Sequence, residues 1–314
     1  MKKIITSVML VVVGFAAQAQ QDAQFSQNFF TKLNTNPGYA GTNQAYCGGL
    51  IYRNQWLNFP GNPTTIMFNG DAYLPAIGGG LGLTVYDDKL GFESTLEAKL
   101  SYSFHIVLGP GTLGIGPSIG FFQKALSGPW APPDGQGTAT TDPLIPVGGS
   151  SNTTYDVGLG IFYSTPQGLY VGLSSSHLPE QTLSSSVRNY QYDVARHYYV
   201  MAGYIYNASA TWDIIPDVYV ESDASSTQFQ LNLRAEYNKT IYFGVGYRMN
   251  DAFVALLGYE KNIGQGSLKI GVAYDYTTSD IHAYSNGSPE IALQYCFKPK
   301  PPSKTESHGN PRFL

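Results

Sequence analysis

Period-two alternation dominates this sequence and restricts its fold more than any other feature. From Leu113 to Phe121, Leu113, Ile115, Ile119 and Phe121 alternate with Gly114, Gly116, Ser118 and Gly120. From Phe229 to Tyr237, Phe229, Leu231, Leu233, Ala235 and Tyr237 alternate with Gln230, Asn232, Arg234 and Glu236. The dyad returns over 241–247 and 268–276, with Tyr242, Gly244, Gly246, Lys269, Gly271, Ala273 and Asp275 on the second face. Side chains of a strand alternate between its two faces, so each segment reads as a strand with one apolar face and one small or polar face. A soluble β-sandwich also alternates, but its outward face must be polar enough to cover a surface in water. Here the second face is glycine, serine and mixed charge, which suits a barrel whose apolar face meets lipid.

Composition points the same way. Charged residues make up 13%, about half the usual share of a soluble domain. Beyond residue 19 no apolar run is long enough for a spanning helix. Counting dyad segments gives about 14 strands, running from 46–54 to 289–298 and including 153–165, 168–176 and 196–207. Alternate connections are short (75–78, 108–111, 166–167, 208–211, 239 and 262–266). The opposite set holds the long ones (55–63, 125–152, 177–195 and 278–288), although three of that set are also short. Outer-membrane barrels have short periplasmic turns and longer outer loops, so both chain ends are expected in the periplasm and loops 125–152 and 177–195 outside, as the main partner surface. Tyr163, Tyr170, Tyr237, Tyr276 and Tyr295 are placed to form interface girdles.

The first residues read as a secretory leader. Lys2 and Lys3 precede an apolar run from Ile4 to Phe15 and a small-residue site, Ala17-Gln18-Ala19, with cleavage expected before Gln20. The expected organisation is therefore a signal peptide at 1–19, an N-terminal segment at 20–45, a barrel at 46–298 and a basic, proline-rich periplasmic tail at 299–314. Phe25, Phe29, Phe30 and Tyr39 are too apolar for a stub in water. A 14-stranded barrel also leaves interior space that small inward side chains do not fill. Residues 20–45 are thus a candidate plug, expected against the inner wall near the periplasmic mouth; the alternative is docking on a periplasmic partner.

Chemistry-bearing patterns are sparse. The net charge is −4 with no basic block before the tail, which gives no phosphate-tracking surface and no nucleic-acid partner. Gly78 to Gly80 and Gly114, Gly116 and Gly120 open no helix and lack phosphate-loop spacing; they read as glycines on a crowded inner wall. His105, His177, His197, His282 and His308 are scattered, with no pair at ligand spacing. Ser279, Asp280 and His282 share one loop, but spacing alone makes no nucleophile. Neither an enzyme nor a cofactor is expected. The inward charges Glu97, Lys99, Asp156, Arg234, Glu236, Lys269 and Asp275 mix both signs, which suggests a cross-linked wall more than an ion-selective pore.

The two cysteines lie at opposite ends of the barrel. With an even number of strands, the first and last pair antiparallel. Cys47 and Cys296 then sit at one depth, both facing inward. A bridge needs their Cα atoms within about 7 Å. That distance depends on register, so two readings stay open: a staple across the seam, or two unpaired small inward residues.

Residues 24–41, QFSQNFFTKLNTNPGYAG, resemble the N-terminal signature of the PorP/SprF family, in which Phe-Ser-Gln precedes Asn-Pro-x-Tyr-Ala-Gly. The resemblance continues through Tyr52-Arg53-Asn54-Gln55-Trp56, Pro63-Thr64-Thr65, GLGLTVYDDKLG at 80–91, His197-Tyr198-Tyr199, Ala202-Gly203-Tyr204, Gly246-Tyr247-Arg248 and Tyr274-Asp275-Tyr276. It departs at Ser288-Pro289-Glu290, where the family usually has Ser-His-Glu. The resemblance implies an outer-membrane component of type IX secretion and gliding in Bacteroidetes-like bacteria, needed for export or surface retention of particular large adhesins. The long outer loops, rich in Ser, Thr, Asn, Gly and Pro, are expected to meet the secreted adhesin's C-terminal domain, and the periplasmic ends other secretion components. Phe25, Gln27, Asn36, Pro37, Tyr39, Arg53 and Trp56 are the expected partner-binding or plug residues. The alternative on the same architecture is an outer-membrane channel for small or hydrophobic solutes.

Overall fold

The computed structural model describes residues 22–128, 149–184 and 191–298. The leader, the tail from 299, the centre of the 125–152 loop and residues 185–190 lie outside them. Strands run in chain order as β1 (Tyr46–Asn54), β2 (Thr64–Leu74), β3 (Gly79–Leu90), β4 (Glu93–Leu108), β5 (Gly111–Leu126), β6 (Ser150–Ser164) and β7 (Tyr170–Ser176). After them come β8 (Thr182–Ser184), β9 (Gln191–Asp193), β10 (His197–Gly203), β11 (Tyr206–Asn207), β12 (Trp212–Ser222) and β13 (Thr227–Tyr237). The series ends with β14 (Ile241–Arg248), β15 (Ala252–Ile263), β16 (Gly266–Thr277) and β17 (Ser288–Phe297).

Fourteen of these form one antiparallel wall in sequence order, with β8–β9 a hairpin outside it and β11 a short appendix of β12. The wall closes because β1 pairs with β17 and β10 pairs directly with β12. Closure leaves no open strand edge, the condition a sheet must meet in hydrocarbon. The segment expected as a single strand over 196–207 breaks after Gly203: the backbone N–H of Tyr204 bonds back to Pro216 O. Turns at one end are short, and the loops at the other end include 55–63, 177–196 and 278–287.

The dyad is realised with its apolar side outward. Leu50, Phe68, Leu83, Leu100, Ile119, Leu159, Leu231, Val245, Leu257, Val272 and Ile291 all stand on the outer surface. The buried interior is instead rich in Arg53, Glu97, Lys99, Asp156, Arg234, Arg248, Asp275 and Glu290. This inversion of a soluble core is what lipid on the outside demands. Tyr237, Tyr276 and Tyr295 are outward, as a girdle requires. Tyr170 is not: its ring stacks on inward Phe162 and holds the Lys32 ammonium 3.5 Å from its centroid. Parity explains the difference, because Val171 and Leu173 take the lipid face of β7.

At the seam Cys47 is the direct register partner of Cys296, with Cα atoms 4.1 Å apart and the sulfurs joined. Inside the wall lie residues 22–45, which contain only single helical turns: Asn28–Phe30, Lys32–Thr35 and Pro37–Tyr39. Their path departs from the expected place near the short-turn mouth. Gly38 to Gly41 do lie there, against the first residues of β3 and β5, but Asp22 to Gln27 reach the opposite, long-loop end of the wall. The segment thus runs along most of the lumen before β1 begins. Its apolar side chains required cover, while its depth is set by charged partners far along the strands.

Candidate functional site

A segment without sheet or long helix must find hydrogen-bond partners for its backbone elsewhere, and the wall supplies them. Asn69 Nδ2 donates to Phe30 O (2.9 Å), Ser174 Oγ to Thr35 O (2.6 Å) and Ser103 Oγ to Gly38 O (2.8 Å). Gly41 N–H donates to Asp71 Oδ2 (2.8 Å), and a ring nitrogen of His105 meets Ala40 O at 2.9 Å. Asn36 caps the turn at Pro37, accepting from Gly38 N–H (2.9 Å), while its Nδ2 donates to Ile161 O (2.9 Å). Contact is close enough to require glycine: a Cβ at Gly114 would lie 2.2 Å from Gly38 O. The glycines of β3 and β5 are therefore a bed for the Asn-Pro-Gly-Tyr-Ala-Gly turn rather than a phosphate cradle.

The tightest anchoring is at Ser26. Its Oγ accepts from Arg53 Nη1 and Arg248 Nη2, each at 2.8 Å, and donates to the Asp275 carboxylate at 2.6 Å. Arg53 Nη2 reaches Asp275 Oδ2 at 2.7 Å and Nη1 reaches Glu290 Oε2 at 3.1 Å. Arg248 Nη1 reaches Asp275 Oδ2 at 3.0 Å. Glu290 also accepts the backbone N–H groups of Ser26 (2.8 Å) and Gln27 (2.9 Å), and Gln230 Nε2 donates to Ser26 O (2.9 Å). Arg53, Arg248, Asp275 and Glu290 are each about 1% exposed. Charges so deeply buried persist when they are paired and hydrogen-bonded, and in this node only Arg53 Nε is without a partner among the described residues. Here two guanidinium groups from β1 and β14 and two carboxylates from β16 and β17 close around one serine.

A second polar cluster lies at the long-loop end. His177 Nε2 is 3.2 Å from Asp22 Oδ1, and Nδ1 is 2.9 Å from Asp156 Oδ1. The Asp22 N–H donates to His197 Nε2 (3.2 Å), and Tyr199 Oη donates to Asp22 Oδ2 (2.5 Å). His177 has a positive φ of 53°, a costly backbone for a non-glycine residue. Burial opposes charge on both partners. The neighbouring His197 and His177 nevertheless hold the Asp22 carboxyl well below the usual carboxylate range, and Asp22 and Asp156 push the His177 imidazole well above its ordinary value. These histidines are 20 residues apart in sequence, so no ligand spacing announced them; the hairpin from β7 to β10 brings them together.

The expected site residues divide between these places. Phe25 packs with Phe30, Ile51, Met67, Tyr86, Tyr242 and Ala292 in one apolar cluster. Gln27 adds an accepted hydrogen bond from Tyr242 Oη (3.2 Å) to its bond with Glu290. Asn36, Pro37 and Tyr39 form the lower turn, with the Tyr39 ring edge-on to Phe162. Arg53 is at the serine node. Trp56 is apart from it, at the long-loop mouth, with its backbone N–H on Ser288 Oγ (3.0 Å). Of the mixed inward charges, Lys99 pairs with Glu97 (3.0 Å), and Lys269 with Glu260 (3.2 Å) and Glu236 (3.7 Å). Pro289 is turned away from the buried Ser288 and Glu290, so the departure at that position leaves the node intact. His282 meets the carbonyl of Ser279, not its hydroxyl, through Nδ1 at 2.9 Å. The lumen retains a cavity of about 770 Å³ at the short-turn end, lined by Phe29, Lys32, Arg234, Lys269 and Cys296 among others. A second, of about 340 Å³, lies at the long-loop end beside Asp22, Trp56 and Asp88.

Solved structures with this architecture are outer-membrane barrels. The CymD monoaromatic hydrocarbon channel superposes with a TM-score of 0.51 at 12% identity, covering 85% of this chain and 92% of that one. The Pseudomonas putida toluene transporter TodX gives 0.51 at 10% identity, with 88% and 95% covered. The Ralstonia pickettii toluene transporter TbuX gives 0.51 at 11% identity, with 85% and 92% covered. Likeness at such identity is likeness of fold. No curated protein matches the sequence. The residues that converge on the lumen segment, from Phe25-Ser26-Gln27 through Arg53, Arg248 and Asp275 to Glu290, fall within the stretch 17–295 that matches one family, and by that match the chain belongs to the type IX secretion system membrane proteins PorP/SprF.

Proposed function

We propose that this protein is a holder: an outer-membrane barrel that binds a secreted surface protein of the adhesin class and helps export or retain it at the cell surface. The partner's C-terminal domain meets the long-loop end, which we place outside the cell, and other type IX components meet the short-turn end in the periplasm. Binding there draws on backbone groups and hydroxyls of the loops; no cofactor enters. One observation carries the reading. The lumen is occupied by the protein's own residues 22–45, tied to β1, β14, β16 and β17 by a node of four buried charges. Withdrawing the segment would leave those wall pairs in place but strip their buried charges of the Ser26 hydroxyl and of the Ser26 and Gln27 N–H groups. Each group left unsatisfied costs about 1–3 kcal/mol, so the segment suits a permanent fitting better than a gate that opens for each solute. The competing reading is a channel for small or hydrophobic solutes, which has the 770 Å³ cavity in its favour.

Affinity capture of the tagged full chain from native outer membranes, with cross-linking and identification of the captured proteins, tests the holder. A surface adhesin and other secretion components are expected together. Capture of the barrel without any secreted protein, under conditions that preserve known membrane complexes, would contradict it.

A further inference from the structure

The cluster at the long-loop end has the composition and geometry of a metal site. Asp22, His177 and His197 each place one potential ligand atom within 4.8 Å of the others. Two imidazoles and a carboxylate form the donor set of borderline first-row divalent ions, zinc above all. Zinc bonds of about 2.0–2.1 Å imply donor–donor edges of about 3.3 Å in a tetrahedron, and Asp22 Oδ1 and His177 Nε2 already stand 3.2 Å apart.

The surroundings match as well. A ligating histidine characteristically gives its other ring N–H to a carboxylate or a carbonyl. His177 meets Asp156 Oδ1 through Nδ1 (2.9 Å), and His197 meets Ala195 O through Nδ1 (3.0 Å), so both rings present Nε2 toward Asp22. Tyr199 fixes the remaining Asp22 oxygen. Three carboxylates gather here, Asp22, Asp156 and Glu97, and the Lys99 ammonium among them is paired with Glu97 at 3.0 Å. The Oδ2 atom of Asp156, in a residue 2% exposed, has no hydrogen-bond partner among the described residues.

We infer that Asp22, His177 and His197 bind a zinc-type divalent cation that clamps the outer end of the lumen segment to the wall. The ion takes the place of the proton shared by Asp22 and His177, and takes the His197 lone pair now engaged by the Asp22 N–H. One ligand comes from the segment and two from the β7–β10 region, so the ion is a fastening between them. This inference does not depend on what the barrel holds.

The full chain, purified in detergent, would be stripped with a chelator, dialysed and titrated with zinc chloride by calorimetry, with metal content measured by elemental analysis. One zinc per chain is expected, with affinity reduced at least tenfold in Asp22→Asn and in His197→Gln and unchanged in His282→Ala. Asp22 lies outside the wall, so Asp22→Asn retains a heat-modifiable barrel. Cobalt bound to the unaltered protein supplies a second reading through visible bands of tetrahedral intensity. Absence of stoichiometric zinc, absence of those bands, or binding that Asp22→Asn and His197→Gln leave unaltered would overturn the site; the last result would mean an adventitious ion only.

Discussion

Ser26 is a small residue with a large electrostatic duty, because its hydroxyl lies between two guanidinium groups and a carboxylate that are all out of water. Removing that hydroxyl leaves buried donors short of an acceptor, at a cost of about 1–3 kcal/mol. Ser26→Ala is therefore expected to lower the resistance of the folded protein to denaturant by that amount, read from the heat- or urea-induced loss of compact migration. Arg53→Ala strips Asp275 and Glu290 of a shared partner and is expected to cost more, about 3–5 kcal/mol. A double-mutant cycle of Arg53 with Asp275 should show strong coupling, and additive effects would mean that the node is not cooperative. Residue by residue, the sequence revealed the participants but not their meeting. Phe-Ser-Gln, Tyr-Arg-Asn, Gly-Tyr-Arg and Tyr-Asp-Tyr are separate motifs along the chain, and only barrel closure puts them around one atom. The histidines were less legible still, since the ring contact of His177 and His197, 5.6 Å between centroids, depends on the backbone turning at a positive φ.

At the scale of elements, the strands were readable because lipid on one side and a packed lumen on the other keep the outward face apolar, although Ile51, Met67, Val254 and Leu256 place apolar side chains inward as well. The depth of residues 22–45 was not. Apolarity called for burial, but the position along the lumen is decided by partners on distant strands. The same contacts allow a steric test. Gly114→Val is expected to displace the lower turn, since its Cβ falls on Gly38 O, and so to expose residues 36–41 to protease. Gly48→Ala has open space around its Cβ and is expected to leave the cleavage pattern unchanged. The seam carries a further expectation. Cys47 and Cys296 are 249 residues apart, and a cross-link closing a loop of that size restricts the unfolded chain by about 5 kcal/mol in the loop-entropy treatment. Denatured, unreduced protein should show no alkylatable thiol and reduced protein two, with reduction easing unfolding; equal thiol counts in the two samples would exclude the bridge.

For the whole molecule, the barrel class and strand number could be read from the sequence, whereas the course of residues 22–45 along the lumen rests on side-chain contacts that pattern alone does not show. The outer loops 125–152 and 177–195 remain the proposed partner surface; residues 129–148 and 185–190 within them lie outside the described structure. Protease added to intact cells is expected to cut in these loops and spare the short turns, whereas cutting at Pro166-Gln167 would reverse the orientation. A holder differs from a channel above all in whether its lumen conducts. Single-molecule conductance in planar bilayers should therefore be compared between the unaltered protein and a variant lacking residues 20–38. The unaltered barrel is expected to be nearly silent and the deletion to conduct severalfold more; equal, substantial conductance from both would contradict a lumen closed by its own N-terminal segment.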